Sequence, residues 1–147
     1  MMSTIQKIVF QNVPLQNGVV QEKVILSYQL FGQPVGSAPL VVVNHALTGN
    51  SQVIGENGWW QSLIGDDKII DTKKYAVLAF NIPGNGYQDE ENLIENYQDF
   101  TTSDIANLFW KGIDSFKVNQ VFAVIGGSLG GAIAWEMAVI RPKAIAN

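Results

Sequence analysis

A serine set among glycines is the first feature of this chain with a clear chemical use. Residues 126–130 read Gly126-Gly127-Ser128-Leu129-Gly130, the G-x-S-x-G pattern of a nucleophile elbow. A serine presented on a sharp strand-to-helix corner needs neighbours without side chains, or the turn cannot close. The apolar run NQVFAVIGG (119–127) leads into the corner. Leu129 to Arg141 leads out of it with helical composition, ended by Pro142. Gly130 and Gly131 would let that helix approach the sheet closely. Ser128 would then sit at a helix N-terminus, where backbone N–H groups stabilise developing negative charge. The amide of Leu129 becomes one oxyanion donor. The plain alternative is a glycine-rich turn that does no chemistry.

The elements around the corner have to hold it in place. KVILSYQLFG (23–32) is rich in strand formers and closes at Gly32 and Pro34. PLVVVNHALTG (39–49) and KKYAVLAFNIPGNG (73–86) carry continuous apolar runs, as in strands covered on both faces. After Thr101, residues Ile105, Leu108, Phe109, Ile113 and Phe116 keep a helical stripe, and Thr101 with Asp104 resembles a capping box. GWWQSLIG (58–65) is expected to add a short helix. Buried strands alternating with helices predict a mostly parallel α/β sheet flanked by helices. Ligands bind such sheets at the carboxyl ends of the strands, where this chain places NHALTG, NIPGNG and GGSLGG. A nucleotide-binding loop is excluded, because no G-x-x-x-x-G-K-[ST] occurs.

Composition narrows the functional classes. The 147 residues fall within the size of one domain and carry a formal net charge of −4, which argues against nucleic acid or an anionic membrane as partner. Without cysteine there are no disulfides and no thiolate metal sites, a usage that fits a cytoplasmic protein. The N-terminus lacks the pattern of a secretory signal, and no apolar run is long enough to span a membrane. No metal site is expected. The acidic run QDEENLIENYQD reads as a solvated loop or lid, and Trp59 and Trp60 either line a pocket or anchor a loop.

Several ordered motifs together are more specific than the corner alone. HALTG, the GWW and LIG pieces, the IDT before a strand, and GGSLGG resemble the homoserine O-acetyltransferase family of α/β-hydrolase-fold enzymes over roughly residues 24–142. The resemblance implies an α/β-hydrolase fold, with residues 1–147 as the N-terminal part of a single domain. It implies that Ser128 takes an acetyl group from acetyl-CoA, a co-substrate with no bound cofactor, and passes it to homoserine on the route to methionine. By the same match Leu47 of HALTG supplies the second oxyanion amide beside Leu129. A serine esterase or other hydrolase on the same scaffold is the alternative, and a homodimer is left open. The chain departs from the family where it reads NIPGNGYQDEENLIENYQDF, and where Ser103-Asp104 stands for the family's arginine–aspartate pair.

Ser128 also needs a base and an acid. In this fold the triad runs Ser, then Asp or Glu, then His, so the one histidine, His45, is expected to shape the oxyanion loop instead. Glu136, the one acid after Ser128, lies about 12 Å along the helix, too far to share its site. The acid and histidine are therefore expected beyond Asn147, with the fold cut short after the elbow helix and the elbow strand left with an unpaired edge.

Overall fold

Strands of two kinds make the main sheet, and the computed structural model describes residues 3–147. The long segments β1 (Gln6–Pro14) and β2 (Val20–Gly32) pair antiparallel as an arm. The short run β3 (Leu40–Asn44) is buried at every position. A two-residue ladder of β4 (Ile64–Gly65) and β5 (Ile70–Asp71) interrupts the connection to β6 (Ala76–Phe80), which is again buried throughout. Helix α1 (Thr102–Ser115), strand β7 (Ala123–Gly126) and helix α2 (Leu129–Ile140) follow. The strand order is β1-β2-β6-β3-β7, antiparallel as far as β6 and parallel from β6 through β3 to β7. The registers Val42↔Leu78 and Val42↔Val124 bring the carboxyl ends of β3, β6 and β7 level.

Both helices lie on one face of the sheet. There Leu26, Val42, Leu78 and Phe80 pack with Ile105, Phe109 and Ile113 of α1 and with Ile133 and Met137 of α2. Phe80 stacks on Phe109 at 4.8 Å between ring centroids. Full burial of each ring contributes about 1.5–3 kcal/mol. The predicted cap of α1 is formed: Thr101 Oγ1 accepts the Asp104 N–H at 3.1 Å, and Asp104 accepts the Thr101 N–H at 3.0 Å. Asp104 also accepts the Gln16 N–H at 3.0 Å, tying the helix to the β1–β2 turn.

The other face differs from expectation. Residues 59–63 form turns leading into β4 rather than a helix, because the Trp59 and Trp60 N–H groups donate back to the carbonyls of Gln52 and Val53. Gly58 permits this doubling back, since a Cβ there would lie 2.4 Å from the Ile54 backbone. The folded loop then covers Val41, Val43, Val77 and Ala79 with Val53, Ile64 and the two tryptophans.

β7 is the last strand of the sheet, yet its outer edge is not bare. The Val121 N–H donates to Ala144 at 2.8 Å, Ala146 donates back to Val121 at 3.0 Å, and Val121 pairs parallel with Ile145. The expected open edge is thus partly covered by the chain's own last residues. α2 is apolar around most of its circumference, with Trp135 77% and Val139 73% exposed.

Candidate functional site

Ser128 occupies the corner between β7 and α2 with φ 52° and ψ −120°. A left-handed φ is strained for a residue with a Cβ, and such strain costs of order 1–3 kcal/mol. The four glycines around it divide into two kinds. A Cβ on Gly126 would meet the Gly130 carbonyl at 2.2 Å, and a Cβ on Gly130 would meet the Asn44 carbonyl at 2.2 Å. Gly127 and Gly131 have more room, with nearest contacts at 3.7 Å to Trp60 and 3.3 Å to Gly126. Gly126 and Gly130 therefore allow the corner to close, and Gly130 also seats α2 on the end of β3.

That close approach brings the loop after β3 beside the corner. A Cβ on Gly130 would also lie 2.6 Å from the His45 carbonyl, and Asn44 Nδ2 donates to the Gly130 carbonyl at 3.3 Å. The chain then turns at Ala46–Gly49, where the Gly49 N–H donates to the Ala46 carbonyl at 2.8 Å and Leu47 stands exposed. Among the described residues, neither the Leu47 nor the Leu129 N–H donates to a protein acceptor. Two free backbone donors thus come from segments packed together. Trp60, at 3.7 Å from a Cβ position on Gly127, walls the corner on one side.

The loop is fastened from below. Buried His45 receives the Ile82 N–H on Nε2 at 3.0 Å, and its Nδ1 lies 2.5 Å from the Ala46 carbonyl. Burial pushes its pKa below the ordinary imidazole value, partly opposed by the Ala46 carbonyl. Ser51 Oγ donates to Gln29 Oε1 at 2.6 Å, and the Ser51 N–H donates to Asn81 Oδ1 at 2.8 Å. Asn81 Nδ2 reaches Ser27 Oγ at 2.9 Å, and Asn85 Nδ2 reaches the Gly49 carbonyl at 3.0 Å. Sequence reasoning missed Gln29, Ser51 and Asn81. Gln29 inside β2 and Asn81 directly after β6 stand out singly as polar residues in apolar strands, whereas Ser51, in the loop after β3, carries no such signal.

Other candidates are not brought to the corner. Both His45 nitrogens are engaged elsewhere, and Glu136 is half-buried on α2. Among the described residues Ser128 Oγ has no hydrogen-bond partner. Asp89 of the acidic run pairs with Lys7. Trp59 and Trp60 pack at 4.4 Å, and Trp59 Nε1 donates to the Asn50 carbonyl at 2.9 Å. An open cleft of about 590 Å³ lies at the opposite end of the sheet, lined by Gln33, Thr72 and Lys73 among others. No helix among the described residues is long and apolar enough to cross a membrane.

A mixed sheet with parallel strands at its site, a strained serine corner after β7 and a donor loop after β3 invite comparison with known proteins. The family described as the alpha/beta hydrolase fold matches residues 39–147. The chain belongs to that family. Within the alpha/beta hydrolase fold, it is 32% identical to a homoserine O-acetyltransferase from Corynebacterium diphtheriae, over 85% of this chain and 35% of that protein. It is also 32% identical to a homoserine O-succinyltransferase from Nitrosomonas europaea, over 89% of this chain and 40% of that protein. The crystal structure of homoserine O-acetyltransferase from Staphylococcus aureus superposes with a TM-score of 0.80 at 28% identity, covering 98% of this chain and 45% of that one. An acetylester hydrolase from Corynebacterium glutamicum shares the fold, with a TM-score of 0.78 at 23% identity over 98% of this chain and 42% of that one. The chain spans less than half the length of each of these relatives. The expected fold and the expected family resemblance are both borne out.

Proposed function

We propose that this chain carries the nucleophile and oxyanion hole of an acyltransferase that moves an acetyl group from acetyl-CoA to the hydroxyl of homoserine. The left-handed backbone of Ser128 carries the reading, because a strained serine between an apolar strand and a helix N-terminus has a chemical use and no evident structural one. The names of the relatives supply the substrate class, since both the acetyltransferase and the succinyltransferase are named for homoserine.

Ser128 Oγ attacks the thioester carbonyl as a base takes its proton. The carbonyl oxygen becomes an oxyanion facing the Leu47 and Leu129 N–H groups. Collapse expels the CoA thiolate, which is protonated, and leaves an acetyl ester on Ser128. The homoserine hydroxyl then attacks that ester, giving O-acetylhomoserine and restoring the serine. Among the described residues no base is hydrogen-bonded to Ser128 Oγ, and the one histidine of this sequence is committed to the loop. Each oxyanion donor is worth about 10²–10³-fold in kcat. Water must be kept from the acyl-serine, and Trp60 beside Gly127 offers an apolar wall for that task.

The test is mass spectrometry of the complete enzyme after mixing with acetyl-CoA. An acetyl adduct on Ser128 that homoserine discharges is the expected result, with no adduct in Ser128→Ala. An adduct on another residue would defeat the assignment of Ser128. Thiol release indifferent to homoserine, with rapid cleavage of simple esters, would replace transfer by hydrolysis.

A further inference from the structure

We propose that His45 is a positioning residue whose Nδ1–H tautomer aims the Leu47 amide, by gripping the other side of the peptide to which that amide belongs. The inference rests on the reading of Leu47 as an oxyanion donor.

The Ile82 N–H is a fixed donor, and it points at His45 Nε2 from 3.0 Å. A nitrogen that accepts a hydrogen bond carries no proton, so the single proton of a neutral ring resides on Nδ1. Nδ1 lies 2.5 Å from the Ala46 carbonyl, which makes the contact an N–H···O bond. The opposite tautomer would set Nε2–H against the Ile82 N–H and a lone pair against the Ala46 oxygen. An imidazolium would keep the second bond and lose the first. Burial favours the neutral ring, and no charged side chain contributes to the shift.

The Ala46 carbonyl and the Leu47 N–H belong to one planar trans peptide, so they point in opposite directions. The carbonyl is held from two sides, by His45 Nδ1 and by the Gly49 N–H at 2.8 Å. Fixing that oxygen fixes the direction of the Leu47 N–H. Leu47 is 71% exposed, so packing of its own side chain does not supply this constraint. The ring spans two loops, because Ile82 follows β6 while Ala46 follows β3. His45 therefore transmits the register of those two strands to the donor.

Long-range ¹H–¹⁵N correlation spectra of the complete enzyme read the tautomer directly, with the His45 ring signals assigned by their loss in the His45→Asn or His45→Gln variant. Protonated Nδ1 and bare Nε2 at neutral pH are expected. An Nε2–H ring or an imidazolium would overturn the proposal. Two variants then separate the ring's two roles. His45→Asn keeps a donor where Nδ1 stands, whereas His45→Gln keeps an acceptor where Nε2 stands. The Leu47 N–H residual dipolar coupling should match wild type in the first variant and change in the second. In the complete enzyme, His45→Gln should lower kcat at least tenfold with KM unchanged, and His45→Asn should recover most of that loss. Equal couplings or equal kinetics in the two variants would refute the mechanism. Should either variant fail to fold, the wild-type tautomer still decides. If the tautomer and couplings follow expectation while the wild-type enzyme transfers no acyl group, the positioning stands and the proposed function falls.

Discussion

Replacing Gly130 with alanine should act against helix propensity. Alanine within a helix is ordinarily better than glycine by about 0.8–1 kcal/mol. Here the new methyl would lie 2.2 Å from the Asn44 carbonyl oxygen and 2.6 Å from the His45 carbonyl oxygen. Ordinary contact begins at 3.4 Å, so α2 and the end of β3 must separate by more than an ångström. Both obstacles are backbone and cannot rotate aside. Overpacking costs about 1–3 kcal/mol, and the upper part of that range, about 2–3 kcal/mol, applies against unyielding backbone, which leaves a net loss of about 1–2 kcal/mol. In a chain of this size that lowers Tm by roughly 3–8 °C. The neighbouring Gly131→Ala is the control, because its methyl meets nothing closer than 3.3 Å. It should be neutral, or stabilising by up to about 1 kcal/mol. Urea and thermal denaturation of the two variants measure the difference. In the complete enzyme, Gly130→Ala should also cost on the order of 10²-fold in kcat, since an ångström of displacement at the donor loop is enough. If Gly130→Ala proves as stable as Gly131→Ala, the close approach of helix to loop is not what holds the site.

Three further outcomes follow from the same structure. Ser128→Gly should stabilise the fold by up to about 1–2 kcal/mol, by relieving the left-handed corner, while abolishing the acyl adduct; denaturant midpoints and mass spectrometry check the two halves. Thr101→Ala should destabilise by about 1 kcal/mol through loss of the α1 cap, measured by the same denaturation. Folding favours neutral His45, whose pKa is lowered, while the unfolded chain takes up a proton near pH 6.5. Stability should therefore be level above about pH 6.5 and fall as pH drops below it, by up to about 1.4 kcal/mol per pH unit until the folded-state pKa is passed. His45→Asn should flatten that limb in urea titrations across pH 5–8.

What could be read from the sequence was governed by locality. The apolar runs of β3, β6 and β7 announced themselves by continuous apolar residues, and the α1 cap by two residues three apart. The serine corner was legible because its glycines are adjacent in sequence. Which glycines are obligatory was not legible, since Gly130 is constrained by Asn44 and His45 from a distant strand. The turns at 59–63 were missed for the same reason: local apolar composition suggested a helix, while tertiary bonds to Gln52 and Val53 set the path. Strand β1 also went unread, because its charged and amide residues dilute the alternation and its pairing with β2 fixes it. The Gln29–Ser51–Asn81 network joins three elements and has no sequence pattern of its own.

The strand order also bears on when the site can exist during folding. β1 and β2 are joined by a tight turn and can zip together early. The Leu47 and Leu129 donors, by contrast, are roughly 80 residues apart, and the chain entropy of closing so long a loop must be overcome before β7 can dock on β3. A partly folded chain holding β1, β2, β6 and β3 would already bury much of its apolar surface, yet lack the proposed oxyanion hole. If Ser128 is acylated as proposed, that competence should trail compaction in refolding experiments, and acylation would report the last long-range contact.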